Sequence, residues 1–159
     1  MSIDSKNNLF NELKSLKKRR TDLETDEKRH LNKIERLKEV NHLLTLIIDN
    51  LPVMAYICNA DNNRTMEFVS SSCFDIIGYK PVDLISSTEF TFGNIIHPDD
   101  RLNVLEEINS AIEEHRPFDV EYRVKTADGD VKKVKDHGQA VYSEDDEFLI
   151  VQGYVAEVE

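Results

Sequence analysis

The sequence has little of several features that define common classes of protein. Its two cysteines, Cys58 and Cys73, cannot build a scaffold of several disulfides and fit a reducing compartment. Its five glycines form no glycine-rich segment of the kind that binds ATP phosphates. No apolar run approaches the length of a membrane span, and the first residues lack the apolar core of a signal peptide. These absences favour a cytoplasmic protein with no membrane partner.

Charge is distributed unevenly along the chain. Residues 1–48 carry 11 Lys/Arg and 8 Asp/Glu, a net charge of +3, whereas residues 49–159 carry 9 and 23, a net charge of −14. Nucleic-acid binding needs clustered cations. The basic cluster at 17–20 has no interleaved aromatic residues and is typical of a solvated helix face. We therefore expect no nucleic-acid partner.

The N-terminal segment has the pattern of a coiled-coil helix. From Leu9 to Ile48 there is no glycine or proline, and alternating steps of four and three residues give twelve positions, eight of them apolar. Such a stripe needs a helical partner, and a second copy of the chain is the simplest one; the alternative is a helix that folds back on its own domain. Asn41 would fix the register of a parallel dimer, although the sequence leaves parallel and antiparallel pairing open. The predicted dimer seam comprises Leu9, Leu13, Leu16, Leu23, Ile34, Leu37, Asn41, Leu44 and Ile48.

The pattern changes to mixed strands and short helices after the helix breaker at 49–52. The last strand is apolar on both faces, which predicts a central strand or one that the N-terminal helix covers. Pro98 opens a predicted helix, and Asp99 and Asp100 complement the positive end of that helix. The predicted apolar face of the helix comprises Leu102, Leu105, Ile108 and Ile112. Strands are predicted at 53–58, 66–69, 118–124, 131–142 and 148–158, and short helices at 70–77 and 81–85, the second leading into a loop rich in Ser and Thr.

Six sequence pieces, in order and at fitting separations, resemble a PAS domain of the PAS/PAC type with an HPDD motif. They are Asp49-Asn50-Leu51-Pro52, Phe74-Asp75-Ile76-Ile77-Gly78-Tyr79, Ile96-His97-Pro98-Asp99-Asp100-Arg101, Phe118-Asp119-Val120-Glu121-Tyr122-Arg123, the Asp128-Gly129 hairpin and Asp136-His137-Gly138. The resemblance covers about residues 45–159. It implies an α+β fold, with a five-stranded antiparallel sheet and helices folded over one face. The predicted domains are a coiled-coil helix over 1–48 and a PAS-like sensory domain over 49–159.

The resemblance also implies a function. A PAS module of this kind is a non-catalytic sensor in signal transduction, and the space under its helices holds a small molecule or is simply packed. The alternatives are a ligand-free adaptor for protein interaction, or the sensor fragment of a histidine kinase in a two-component system or of a diguanylate cyclase, which would supply the downstream effector. Any enzyme activity would then lie in segments absent from this chain. The candidate pocket residues are Met54, Tyr56, Phe74, Ile77, Phe92, Ile96, Leu105, Ile108, Tyr122 and Val134.

The sequence does not indicate which cofactor, if any, the domain holds. Heme would need an axial histidine on the long helix, and neither His97 nor His115 suits that role. A LOV-type flavin would need a reactive cysteine in an Asn-Cys-Arg-Phe-type motif, which Cys73 does not provide. We expect no metal, because no Cys/His spacing suits zinc and residues 61–63 lack the Gly and distal Glu of a calcium loop. His30 lacks the acidic neighbour of a histidine-kinase phosphoacceptor.

Overall fold

The computed structural model describes residues 3–85, 87 and 90–158. The chain divides into two compact units, Met1–Leu44 and Thr45–Glu159, whereas the sequence pattern places the domain boundary after Ile48. Ser86, Thr88 and Glu89, from the predicted Ser/Thr-rich loop, lie outside the described residues.

Helix α1 spans Ile3–Asp49. It contains the whole predicted helix, since no glycine or proline interrupts the segment. None of its described residues is buried, and the apolar seam residues from Leu9 to Leu44 are all exposed. Ile48, at the end of the seam, is half-buried. Dimerisation through this helix remains a prediction. Across the described part of the chain, no helix combines the length and the apolar content needed to cross a membrane.

The described strands form one antiparallel sheet in the second unit. β5 lies at the centre of the sheet, which confirms the prediction drawn from its two apolar faces. The order across the sheet is β2-β1-β5-β4-β3, and the fold is the predicted α+β arrangement. The strands are β1 Met54–Cys58, β2 Met66–Val69, β3 Phe118–Lys125, β4 Val131–Tyr142 and β5 Phe148–Glu157.

In the described part of the chain, four short or medium helices follow α1, and they bury apolar side chains of the same core as the sheet. The sequence patterns missed α4, a single turn. They also placed Pro98 inside the long helix, whereas α5 begins at Arg101 and Pro98 lies in the turn before it. The helices are α2 Cys73–Ile77, α3 Pro81–Leu84, α4 Phe92–Ile95 and α5 Arg101–Glu113.

Helix α5 turns a different face to the core than its sequence pattern indicated. Its buried residues are Val104, Ile108 and Ala111, which are spaced by four and three and therefore share one stripe. Of the predicted face, only Ile108 is fully buried, and Leu102 is exposed. The smaller side chains of Val104 and Ala111 face the core, and the larger leucines lie beside that contact.

Candidate functional site

A cavity of about 290 Å³ lies between α5 and the turn that joins β1 to β2. Its apolar wall includes Ile96 and three α5 residues, Val104, Leu105 and Ile108. Arg64, from the β1–β2 turn, also lines it. The cavity therefore combines an apolar wall with one buried cationic side chain.

The structure divides the predicted pocket residues into three groups. Ile96, Leu105 and Ile108 line the cavity. Phe74 does not belong with them, because 53% of it is exposed. Its neighbours Cys73, Ile76 and Ile77 take the buried face of α2, and about 100° of rotation per residue turns Phe74 outward. The remaining six are buried in the core without lining the cavity: Met54, Tyr56, Ile77, Phe92, Tyr122 and Val134.

A buried polar cluster, Arg64, Asp136, Tyr56 and Tyr122, lies within the core. Arg64 Nη1 donates to Asp136 Oδ2 at 2.6 Å and to the hydroxyl of Tyr122 at 3.1 Å. The Tyr56 hydroxyl donates to Asp136 Oδ1 at 2.7 Å, and the Tyr122 hydroxyl donates to Oδ2 at 2.8 Å. Both carboxylate oxygens of Asp136 are thus satisfied, which is what a fully buried charge requires.

The position of Arg64 has three notable features. Its backbone has φ of +51°, in the left-handed region that side chains other than Asn, Asp and Gly seldom adopt. Its guanidinium carbon lies 5.0 Å from the ring centres of both Tyr56 and Phe92, close enough for cation–π attraction. Within the described residues, its Nη2 is the buried side-chain polar atom without a hydrogen-bond partner. The cluster therefore engages Nη1, and the Arg64 side chain also interacts with the Cys58 thiol.

The electrostatics of the cluster keep its phenols neutral and its arginine charged. Burial raises the pKa of Tyr122 well above its ordinary value, and the Asp136 carboxylate raises it further. Burial likewise raises the pKa of Tyr56, with Arg64 partly opposing the increase. Burial alone would lower the pKa of Arg64, but Asp136, the two phenols and the Cys58 thiol together raise it. At neutral pH the cluster is one ion pair with two hydroxyl donors.

Two glycines make room for the Tyr56 hydroxyl against the sheet. Gly138 in β4 lies opposite Gly153 in β5, and Tyr56 lies opposite Gly153 on the other side. A Cβ atom at either glycine would come within 2.8 Å of the Tyr56 oxygen. These close approaches give a physical reason for Gly138 in the Asp136-His137-Gly138 piece.

Both cysteines are free and buried. Cys58 lines the cavity, and burial raises the pKa of its thiol, with Arg64 opposing the rise. Burial also raises the pKa of Cys73 to about 11, and its Sγ lies 3.1 Å from the carbonyl oxygen of Tyr79. Because the thiolate is the reactive form, neither thiol is activated as a nucleophile at neutral pH.

An ion pair ties the start of α5 to β3, outside the cavity. Asp100 Oδ1 accepts from Arg123 Nη2 at 2.6 Å, and Oδ2 accepts from the backbone N–H and Nε of Arg123, each at 2.9 Å. These hydrogen bonds lower the pKa of Asp100 to about 2. Asp100 makes no side-chain hydrogen bond to the helix terminus. Asp100 lies directly before α5, at the helix end where the sequence pattern places it, and its carboxylate also binds the neighbouring strand.

The other residues considered as ligands lie away from the cavity. His97 Nδ1 accepts from the backbone N–H of Asp99, and the His115 ring stacks on Tyr142 at 4.2 Å. Neither histidine lines the cavity. Over the described residues, no three His, Cys, Asp or Glu side chains come together in a way that could hold a metal ion.

A second concave surface lies on the opposite face of the sheet and has a volume of about 440 Å³. Its lining includes Ile48 and Leu51 from the chain entering the domain, His137 from β4 and Tyr154 from β5. We call it the outer-face groove. Tyr154 in this groove is 42% exposed.

No sequence pattern used above indicated Arg64 or the buried role of Asp136. Arg64 follows a polar turn and has the sequence context of a surface residue. A usable signal lay in β4, where the alternation of Val134, Asp136 and Gly138 puts a carboxylate on the inward face. A carboxylate at an inward position needs a buried cation as a partner.

Comparison with known proteins identifies the domain. The family model described as the PAS fold matches residues 66–155. A curated relative, the methyl sulfide methyltransferase-associated sensor of Methanosarcina acetivorans, is 32% identical over 116 residues; the match covers 72% of this chain and only 11% of the relative. This relative supports a sensory role.

Solved structures agree with the family match. The PAS domain of a protein from Colwellia psychrerythraea superposes with a TM-score of 0.64 at 14% identity, covering 75% of this chain and 97% of that one. A sensory box histidine kinase/response regulator from Burkholderia thailandensis superposes with a TM-score of 0.56 at 29% identity, covering 72% and 83%. The chain belongs to the PAS family.

Proposed function

We propose that this chain is a cytoplasmic, non-catalytic sensory module that binds a small molecule in the cavity and dimerises through α1. The observation that carries the first part is the cavity itself, which is lined by an apolar wall and by the buried side chain of Arg64. Binding sites for small molecules commonly combine an apolar lining with a few placed polar groups. The second part rests on the exposed apolar stripe of α1.

Signal transfer from the domain to α1 would begin at the end of that helix. Asp49 Oδ1 accepts from the backbone N–H of Ser71 at 2.8 Å, and the Ser72 hydroxyl donates to the carbonyls of Asp49 and Leu51 at 3.3 and 3.0 Å. The last residue of α1 is therefore hydrogen-bonded to the segment that leads into α2. A ligand that moves the sheet relative to its helices would change this attachment and so bias the register of the coiled coil near Asn41. The output would pass to a downstream effector.

The dimer can be tested with two matched substitutions in α1. Leu37→Lys puts a charge into the predicted seam, whereas Leu43→Lys makes the same change at an exposed position off the seam. We expect Leu37→Lys to weaken dimerisation by about tenfold or more, because it removes buried apolar area from each partner. Sedimentation equilibrium over a range of concentrations would measure the change. Equal effects of the two variants, or a wild-type chain that stays monomeric, would refute the seam.

Native mass spectrometry and an absorption spectrum of freshly purified protein would test the ligand. A mass above that of the bare chain, lost on mild denaturation, is the expected result. A bare mass from the cell would instead favour a ligand-free adaptor.

A further inference from the structure

The cavity between α5 and the β1–β2 turn carries two exposed charges of opposite sign. Of the described residues that line it, Arg64, Arg101 and Asp61 are charged at neutral pH. Arg64 is already paired with the buried Asp136 at 2.6 Å. Arg101 and Asp61 are exposed, and among the described residues neither forms an ion pair, with the other or with a third side chain. A ligand that enters the cavity therefore meets one unpaired cation and one unpaired anion.

The hydrogen bonds of Arg101 hold its guanidinium without using all of its donors. Nε donates to the carbonyl oxygen of Ile96 at 2.9 Å, and Nη2 donates to that of Asn94 at 2.8 Å. An arginine has five N–H donors in a planar fork, so three remain, including both on Nη1. The two backbone contacts thus fix a cation beside the cavity, and its open donors suit a carboxylate.

Asp61 is held in a similar manner on the β1–β2 turn. Its Oδ1 accepts from the backbone N–H of Thr65 at 2.8 Å, and its Oδ2 accepts from the Thr65 hydroxyl at 2.6 Å. Each carboxylate oxygen can accept about two hydrogen bonds, so each retains one open position. These open positions suit an ammonium group, which has only donors.

The apolar part of the cavity is more deeply buried than these charges. Val104 and Ile108 from α5 and Val151 from β5 line it, with exposed fractions of 1%, 6% and 1%. Because the charged residues are exposed and the apolar ones are buried, a ligand can keep its charged groups near water while it buries a side chain. The volume of about 290 Å³ limits this ligand to a compact molecule.

We infer that the cavity takes a free α-amino acid with an aliphatic side chain. Its carboxylate accepts from the open donors of Arg101, its ammonium group donates to Asp61, and its side chain packs on the α5 wall. A simple carboxylate would leave Asp61 unpaired and would share the cavity with that negative charge, and a simple amine would leave Arg101 unpaired. This inference rests on the proposed ligand-binding function and names the ligand class.

The test compares three probes on the full chain by NMR titration. Leucine carries both charged groups and an isobutyl side chain. Isocaproate is leucine without its ammonium group, and isoamylamine is leucine without its carboxylate. In the wild type we expect leucine to bind about threefold to tenfold more tightly than either analogue, because each analogue loses one ion pair at a partly hydrated position.

Two substitutions separate the contributions of the two charges. Arg101→Gln should weaken the binding of leucine and isocaproate by about threefold or more without weakening that of isoamylamine. Asp61→Asn keeps an oxygen acceptor for the backbone N–H of Thr65, and it should weaken the binding of leucine and isoamylamine but not of isocaproate. The matched controls, Arg116→Gln and Asp145→Asn, make the same changes of charge outside the cavity and should leave all three affinities unchanged. A variant that does not fold would lose all three probes, and the order of affinities in the wild type then decides.

The outcomes that would overturn the inference also separate it from the proposed function. If isocaproate or isoamylamine binds as tightly as leucine, the site takes a ligand with a single charge. If Arg101→Gln and Asp61→Asn weaken leucine binding no more than their controls do, these two charges do not hold the ligand. If no probe binds while native mass spectrometry detects a molecule on the purified protein, the ligand class is wrong and the proposed function stands. If no probe binds and no molecule is detected, the inference falls together with the ligand-binding part of the proposed function.

Discussion

The helix of the first unit and the domain of the second use apolar side chains in opposite ways. In α1 the seam leucines from Leu9 to Leu44 are exposed, and none of the described residues of this helix is buried. In the domain, side chains of the sheet and its helices form one buried core. The domain thus buries a large set of apolar side chains within a single chain, whereas the apolar stripe of the helix stays exposed. Helices with such a stripe gain most of their stability from packing.

The two units also treat charge differently. The ion pairs of α1, such as Arg20–Glu24 at 3.3 Å, lie on the exposed surface, where they contribute little. The domain buries the side chains of Arg64 and Asp136 almost completely, so each charge needs the other as its counter-charge. From this contrast we expect that the effect of a core substitution on stability does not depend on protein concentration. The effect of a seam substitution on stability should depend on protein concentration, because it would change dimerisation.

The largest effect should follow the loss of the Asp136 carboxylate. Asp136→Ala leaves the Arg64 charge buried without its partner and removes the acceptor of both tyrosine hydroxyls. Breaking a buried ion pair costs about 3–5 kcal/mol, so the free energy of unfolding should fall by at least that range. Urea denaturation of the full chain, followed by circular dichroism, would measure it.

The matched control for Asp136 is Asp119 on the neighbouring strand. Asp119 pairs with Lys135 at 3.1 Å, but both side chains are about half exposed. Asp119→Ala should therefore change the unfolding free energy by less than about 1 kcal/mol. Similar losses for the two variants, or a loss that depends on protein concentration, would contradict the contrast between the core and the surface.

An intermediate effect is expected at the contact between α5 and β3. Asp100→Ala removes three hydrogen bonds to Arg123, two of them charge-assisted through the side chain, and should lower the unfolding free energy by about 1–2 kcal/mol. Since the folded-state pKa of Asp100 is lowered to about 2, its contribution is fully present above the ordinary pKa of an aspartate. It is lost as the pH falls through about 2.

Acid denaturation curves would test this pH dependence. The difference in stability between the wild type and Asp100→Ala should shrink as the pH falls from about 4 towards 2. Asp99→Ala provides the control, because Asp99 is 75% exposed and lies 3.7 Å from the same arginine. A constant difference across this range would show that the Asp100 carboxylate does not supply the stability.

Much of the fold could be predicted from the sequence because local rules and tertiary packing agree there. β2 and β4 have the predicted bounds, since alternating side chains and flanking turns define both. The face of α5 could not be chosen in the same way. Two stripes share Ile108, one through Leu102 and Leu105 and the other through Val104 and Ala111, and only packing against the sheet decides between them.

The candidate site was less predictable, because its chemistry depends on distant partners. Arg64 and Asp136 are 72 residues apart, and no local pattern connects a turn arginine to a strand carboxylate. Phe74 shows the opposite error: a large aromatic residue in a short helix suggested burial, yet the helix presents its other face to the core. Both errors arise where tertiary contacts, and not local preference, determine the environment of a side chain.

The smallest expected effect concerns Asn41 in the seam, and it has the opposite sign. Asn41→Val replaces a seam amide with a β-branched apolar side chain and should raise the stability of the dimer by about 1 kcal/mol per chain. Thermal unfolding at several protein concentrations would detect the gain. Asn32→Val makes the same change at a position off the seam and should give no gain in dimer stability. The stabilised variant should also lose its unique register, which distances between spin labels on the two helices would reveal as a broadened distribution. If dimer stability and register both stay unchanged, Asn41 does not lie in a helix–helix interface. The proposal that α1 needs a helical partner, unlike the domain, would then be contradicted.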